Sequence, residues 1–234
     1  MKYKRILLKI SGEVLAGEKG FGLDDNMIMD VCRSIKSCRD LGVDVGIVVG
    51  GGNFWRGRTS GDMGRVKADH IGMLATVMNA IAISDGLDRL GVPAVVETAA
   101  EMKTFAETYY YNKALKNLEN GKVIIFGCGT GNPFFSTDTG AALRAIEIGA
   151  DILMKATNVD GVYNKDPNKY ADAIKYDKVT PQEVLEKNIN VMDSTAFALC
   201  KDNNMPILVF NLEEDNSIID AINDKPIGTL VKGE

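Results

Sequence analysis

The apolar positions of this chain recur with two periods, and the switches between them mark its elements. Short β-branched runs at residues 5–10, 43–49, 93–96, 122–126, 151–155, 207–210 and 229–232 read as strands. Between them apolar residues recur at helical spacing. Met27, Ile28, Val31, Ile35, Cys38 and Leu41 outline a helix that Asp24 and Asp25 can cap and Gly42 ends. Further helices are predicted at residues 64–90, 105–118, 139–149, 180–187, 194–203 and 217–222. Strand, helix, strand with glycine-rich corners predicts a mainly parallel sheet, so the fold class is α/β, a three-layer α/β/α sandwich. The chain, residues 1–234, reads as one domain with two functional halves. Ile71, Met73, Leu74, Val77, Met78, Ile81 and Ile83 make one helix apolar on nearly every face, which predicts burial in the core or, as we expect, under another subunit. Asp160 and Gly161 between apolar flanks predict a hairpin turn, and Asp166 with Pro167 a second turn.

Composition narrows the class. With 45% hydrophobic and 25% charged residues, the chain has the profile of a soluble globular protein. A formal net charge of −5 argues against a broad nucleic-acid-binding face. Lys9 breaks the opening apolar run too early for a secretory leader, and the apolar segment 73–83, interrupted by Asn79, falls short of a bilayer span. A cytoplasmic protein without a membrane partner is expected. Cys32, Cys38, Cys128 and Cys200 form no C-x-x-C pair and His70 is the only histidine, which argues against zinc.

The chemistry gathers at strand ends. Residues 46–58, G-I-V-V-G-G-G-N-F-W-R-G-R, close a strand on Gly50, Gly51 and Gly52 and follow it with Arg56 and Arg58. Bare N–H groups beside a guanidinium fork suit a phosphate; an ordinary turn with solvated arginines is the alternative. A second such corner, G-C-G-T-G-N-P-F-F-S-T-D at 127–138, leads into a helix for which Ser136, Thr137 and Asp138 are natural caps. Its glycine spacing does not fit the dinucleotide fingerprint, and no G-x-x-x-x-G-K-[ST] occurs. Lys9 and Lys155 interrupt or close apolar strands, where they are either surface lysines or cations aimed at a transferring phosphoryl group. Two anion cradles with two lysines between them suggest phosphoryl transfer between two phosphorylated ligands. A phosphate-monoester acceptor, with a second pKa near ~6, is already anionic and needs no general base.

These residues carry a family resemblance. K-I-S-G-E at 9–13, G-G-G-N-F-W-R-G at 50–57, A-D-H at 68–70, G-T-G-N-P-F-F-S-T-D at 129–138, K-A-T-N-V-D-G-V-Y at 155–163 and V-M-D at 191–193 resemble, in order, the bacterial uridylate kinases of the amino-acid-kinase fold. The resemblance implies ATP and UMP giving ADP and UDP with Mg²⁺ carried on the phosphates and no direct protein ligand. It implies an acceptor half followed by an ATP half. It places Lys9, Ile10, Ser11, Gly12, Gly52, Arg56, Thr157, Tyr163 and Asp166 on ATP. It places Gly51, Asp69, Thr130, Gly131, Asn132, Pro133, Phe134, Phe135, Ser136 and Thr137 on UMP. Lys9, Lys155, Arg56 and Asp193 become the catalytic set, with Asp193 orienting the lysines. Local alternatives stand beside it: Asp69 as a helix-start carboxylate, Asp166 as a turn residue, Asp193 as a helix cap, Phe134 or Phe135 as packing. The family is a homohexamer, activated by GTP and inhibited by UTP, and Gly17, Glu18, Lys19, Gly20, Phe21 and Gly22 resemble its GTP-responsive segment. The competing functions are a carboxylate or carbamate kinase of the same fold and a non-catalytic nucleotide- or oxyanion-binding relative.

Overall fold

The computed structural model describes residues 2–56, 61–157, 159–165, 167, 169–212, 217–223 and 225–233. The first strand shows how the layers arise. In β1 (Arg5–Ile10), Ile6, Leu8 and Ile10 enter one buried cluster and Leu7 the other, as alternation across a strand requires. The same split runs through β2 (Asp44–Val49), β6 (Ile152–Thr157) and β10 (Ile207–Asn211), so these central strands are covered on both faces.

One face is covered by α1 (Asp25–Asp40), α2 (Arg65–Arg89) and α7 (Ser217–Ile222). The other carries α3 (Tyr111–Glu119), α4 (Thr137–Glu147), α5 (Pro181–Glu186) and α6 (Ser194–Asp202). The remaining strands are β3 (Ala94–Thr98), β4 (Glu107–Thr108), β5 (Val123–Gly127), β7 (Val162–Tyr163), β8 (Lys175–Tyr176), β9 (Lys178–Val179) and β11 (Thr229–Val231). Among the described residues nine strands form one sheet in the order β4-β3-β5-β2-β1-β6-β10-β11-β9, parallel except between β10 and β11. β7 and β8 form a separate antiparallel pair.

Local signals set most helix starts. Asp24 accepts the Asn26 and Met27 N–H groups at 3.0 and 3.4 Å, and Thr180 and Glu183 form a reciprocal capping box. Three expectations need correction. The helix expected from residue 105 begins at Tyr111, because residues 107–108 are drawn to the sheet edge, Glu97 facing Glu107 and Thr98 facing Thr108. Asp160 and Gly161 do not turn a hairpin: Val162 pairs with Tyr176, so the connection lies beyond Tyr163, while Asp160 accepts the Tyr163 hydroxyl at 2.6 Å and Lys175 Nζ at 3.0 Å. The glycine-rich loop from residue 17 is in part the end of a 3-10 helix, Gly12–Lys19, kinked at Gly17.

By length and composition alone the 25-residue α2, which contains the 73–83 run, could cross a membrane, as many core helices could. Its inner residues Ala80, Ile83 and Leu87 belong to the core, while Ile71, Leu74, Met78 and Ile81 form an exposed stripe.

Candidate active site

The register of β1 and β6 brings Lys9 directly beside Lys155. Both residues have the parity of Leu7 and Leu153, so both side chains emerge on the α4 and α6 face. Two ammonium groups on neighbouring strands repel unless an anion lies between them, and here Asp138, in the first turn of α4, supplies it. Lys9 Nζ lies 2.9 Å from Asp138 Oδ1 and Lys155 Nζ 2.7 Å from Oδ2. Lys155 also donates to the Val191 carbonyl at 2.8 Å. Burial works to raise the Asp138 pKa, but Lys9 and then Lys155 outweigh it and hold the carboxyl below its ordinary value.

Asp193 takes the helix-cap role that stood as its local alternative. Its side chain caps α6, accepting the Thr195 and Ala196 N–H groups at 3.0 and 3.1 Å, and it takes the Ser136 and Thr139 hydroxyls. Ser136 in turn caps α4 through the Thr139 N–H at 3.1 Å. Asp193 therefore ties the two helix starts together, and the carboxylate between the lysines is Asp138.

Across the β1–β2 edge stands the triple-glycine corner. Gly50, Gly51 and Gly52 are not among the positive-φ residues. Their value is close approach: a Cβ on Gly51 would lie 2.8 Å from both Ala75 Cβ and the Gly72 carbonyl of α2. Gly12 packs against the Gly50 carbonyl in the same way.

A cleft of about 460 Å³ opens between this corner, α2 and the start of α4. Of the residues assigned to the acceptor by resemblance, Gly51, Asp69, Thr130, Asn132, Phe135, Ser136 and Thr137 line it. Gly131, Pro133 and Phe134 shape the loop instead: Gly131 takes φ 80°, and Phe134, at φ 74°, lies with its ring 5.6 Å from the Arg65 guanidinium. Asp69 grips that loop, accepting the Phe134 N–H at 2.8 Å while Arg65 Nε reaches both its oxygens at 2.9 and 2.8 Å. Gly52 and Arg56 also line the cleft, Arg56 paired with Glu13. Trp55 closes one wall and donates to the Ala68 carbonyl at 2.9 Å.

On the far side of the lysines, Ile10 and Ser11 lead from β1 into the 3-10 helix, and Thr157 ends β6. Tyr163 lies in β7, held by Asp160. Asp166, Gly57 and Arg58 fall outside the described residues. In the segment from Gly17 to Gly22, Lys19 pairs with Asp24 at 2.9 Å, and Phe21 meets Phe54 edge to face at 5.8 Å. Glu18 lies in the 3-10 helix, which Gly20 ends at φ 66°.

Asp138, Glu13, Arg65 and Trp55 escaped assignment from the sequence. Asp138 had a signal, an aspartate one turn into a helix facing two strand-end lysines, but the pairing needs the register of β1 and β6.

A model of the amino acid kinase family matches residues 4–211. The uridylate kinase of Limosilactobacillus reuteri is 51% identical over 237 residues, covering 100% of this chain and 99% of its own. The crystal structure of a UMP kinase from Bacillus anthracis superposes with a TM-score of 0.96 at 36% identity, covering 99% of this chain and 97% of the other. That of a UMP kinase from Ureaplasma parvum gives 0.94 at 38% identity, covering both chains in full, 100% each. On a match that runs through most of its length and relatives that share its whole fold, the chain belongs to the amino acid kinase family.

Proposed function

We propose that this chain transfers the terminal phosphoryl group of ATP to UMP, giving ADP and UDP in pyrimidine nucleotide metabolism. The observation that carries the reading is the pair Lys9 and Lys155, half-buried side by side over Asp138 at the rim of a cleft built for a phosphorylated acceptor.

UMP lies in the cleft with its phosphate at Gly51 and the start of α4, where backbone N–H groups and the helix dipole favour an anion. Asp69 and Asn132 face its ribose and base. ATP approaches from the other side, its phosphates along residues 9–12 and Gly52, its adenosine toward Thr157, Tyr163 and Asp166. Arg56 reaches both. Lys9 and Lys155 neutralise charge that develops on the transferring group, and Asp138 keeps both ammonium groups aimed before ligands arrive. No general base is required, since the attacking oxygen is already anionic, and His70 does not line the cleft. Among the described residues no three His, Cys, Asp or Glu side chains converge on a metal position. Glu13 and Asp138, the carboxylates at the gap, are each paired with a cation, so the residues fit Mg²⁺ carried by phosphate oxygens and water. Bound there, the ion would draw charge from the β and γ oxygens.

The finer reading includes one domain with an acceptor half and an ATP half, a cytoplasmic location, and a homohexamer in which the exposed α2 stripe is a subunit contact. It includes response to GTP and UTP, with Gly17 to Gly22 as the effector segment.

A coupled ADP-release assay across UMP, CMP, dTMP, AMP and acetylglutamate, with and without GTP and UTP, tests the assignment. UMP is expected to be the preferred acceptor; preference for acetylglutamate, or no turnover with any acceptor, selects the competing functions. Lys155→Ala should lower turnover roughly 10²-fold or more with the KM for UMP little changed. Loss of binding without loss of rate at saturation contradicts the role given to the lysine.

A further inference from the structure

Asn79 interrupts the apolar run of α2, yet its side chain is fully buried at 0% exposure, as is Asn53 at 1%. An amide in such a place is costly unless its donors and acceptor are used. Here all of them are. Asn53 Nδ2 donates to Asn79 Oδ1 at 2.9 Å and Asn79 Nδ2 returns a bond to Asn53 Oδ1 at 2.8 Å. The second hydrogen of Asn79 goes to the Gly50 carbonyl at 2.6 Å, and that of Asn53 to the Gly22 carbonyl at 2.7 Å. The Gly22 N–H closes the set on the Asn53 carbonyl at 3.0 Å. Turning either amide over would point oxygen at a carbonyl, so the network admits one orientation.

The pair joins three stretches that local structure does not connect: the glycine corner, helix α2 and the end of the segment at Gly22. Its contacts with the corner, at Gly50 and Asn53, bracket Gly51 and Gly52, the two glycines that line the cleft. The neighbouring packing leaves little slack, since a Cβ on Gly12 would come within 2.6 Å of Asn53 Oδ1. If the site needed only filled volume, leucine would serve at residue 79 without the desolvation of an amide.

We infer that Asn53 and Asn79 are positioning residues for the acceptor phosphate: their amide pair sets where the Gly51 and Gly52 backbone stands against α2. The inference rests on reading the cleft as the acceptor site. It makes phosphate placement, beyond fold stability, depend on two side chains that do not line the cleft. Displacing a binding group by about 1 Å costs on the order of 10²-fold in rate, so modest relaxation of the corner is enough to be read.

Asn79→Leu tests it, assayed well below its own melting temperature. Trp55, the only tryptophan, lines the cleft and reports UMP binding by its fluorescence. The expected result is a fall of roughly 10- to 100-fold in kcat/KM for UMP with weaker UMP titration of Trp55, and a KM for ATP that rises less than that for UMP, because Gly51 stands on the acceptor side and Gly52 alone of the two also faces ATP. Asn53→Leu should behave alike, and the double variant should lose little more than either single one, because one joint is broken in all three. If Asn79→Leu does not fold, Asn79→Ser, too short to span to Gly50, carries the same expectation in weaker form. Stable variants that keep kcat/KM for UMP within twofold, or single effects that multiply in the double variant, overturn the inference. Failure of the wild-type protein to turn over UMP or to alter Trp55 emission would instead remove the acceptor-site reading beneath it.

Discussion

Replacing Asp138 by Asn keeps the shape of the α4 start and removes one charge. Lys9, Lys155 and Asp138 have side chains only 14%, 17% and 15% exposed, so solvent screens them weakly. Ammonium groups on adjacent strands stand roughly 5 Å apart, and at an effective dielectric near 20 they repel by about 3 kcal/mol. Each lysine also loses an attraction of comparable size, offset in part by relief of carboxylate desolvation. Breaking a buried ion pair from one side costs about 3–5 kcal/mol. Taking about 3 kcal/mol, the melting temperature should fall by roughly 6–12 °C for a chain of this size. ATP brings the missing negative charge, so its binding should stabilise the variant at least as much as wild type. The chemical step should suffer, with kcat down about 10²-fold and the KM for ATP not raised, because the lysines are no longer aimed before ligands arrive. Thermal melts with and without ATP, beside the coupled assay, read all three. The sign with pH is also set. A carboxyl held below its ordinary value stabilises the fold above the unfolded value of 3.8, and that contribution fades as pH falls through the folded value. The gap between wild type and variant should therefore be full at neutral pH and close in strong acid. A variant that melts with wild type, keeps its rate, or loses ATP affinity along with stability would refute the account.

Two further changes separate neighbouring roles. Asp193→Ala removes the α6 cap and the partner of the Ser136 and Thr139 hydroxyls, so stability should drop by about 1–3 kcal/mol with a smaller loss of kcat than Asp138→Asn; a larger loss of rate with unchanged unfolding would return the lysine-orienting role to Asp193. Glu97 is buried with Oε2 unpartnered among the described residues, and burial pushes its carboxyl above the ordinary value despite the Asn117 bond at 2.9 Å, with Glu107 adding to the rise. Its folded form binds the proton more tightly, so stability is full below the unfolded value of 4.5 and lost as pH rises through the folded value. Glu97→Gln should flatten that slope and gain about 1–3 kcal/mol at alkaline pH in urea unfolding; parallel pH curves for the two proteins would show that Glu97 does not titrate in this way.

What the sequence determined by itself is what a few neighbouring residues decide. Strands β1, β2 and β6 are apolar on both faces, helix starts carry Asp24, Ser136, Thr180 or Asp193, and these signals need no distant partner. Lys9 and Lys155 were legible as cations out of place in strands, and Gly51, Asp69, Thr130, Asn132 and Thr137, which the motifs singled out, line one cleft. Tertiary structure alone decided the pairings. Asp138 and Asp193 both stand at helix starts, and sequence gives no ground for choosing which faces the lysines; the register of Lys9 with Lys155 and the seating of α4 over β1 do. Residues 107–108 look helical until the β3 edge offers them hydrogen-bond partners. Asn79 reads as a blemish in an apolar helix until Asn53 arrives from residues far away in the chain. In each case the deciding energy is a contact between distant segments, and only the closed sheet brings those segments together.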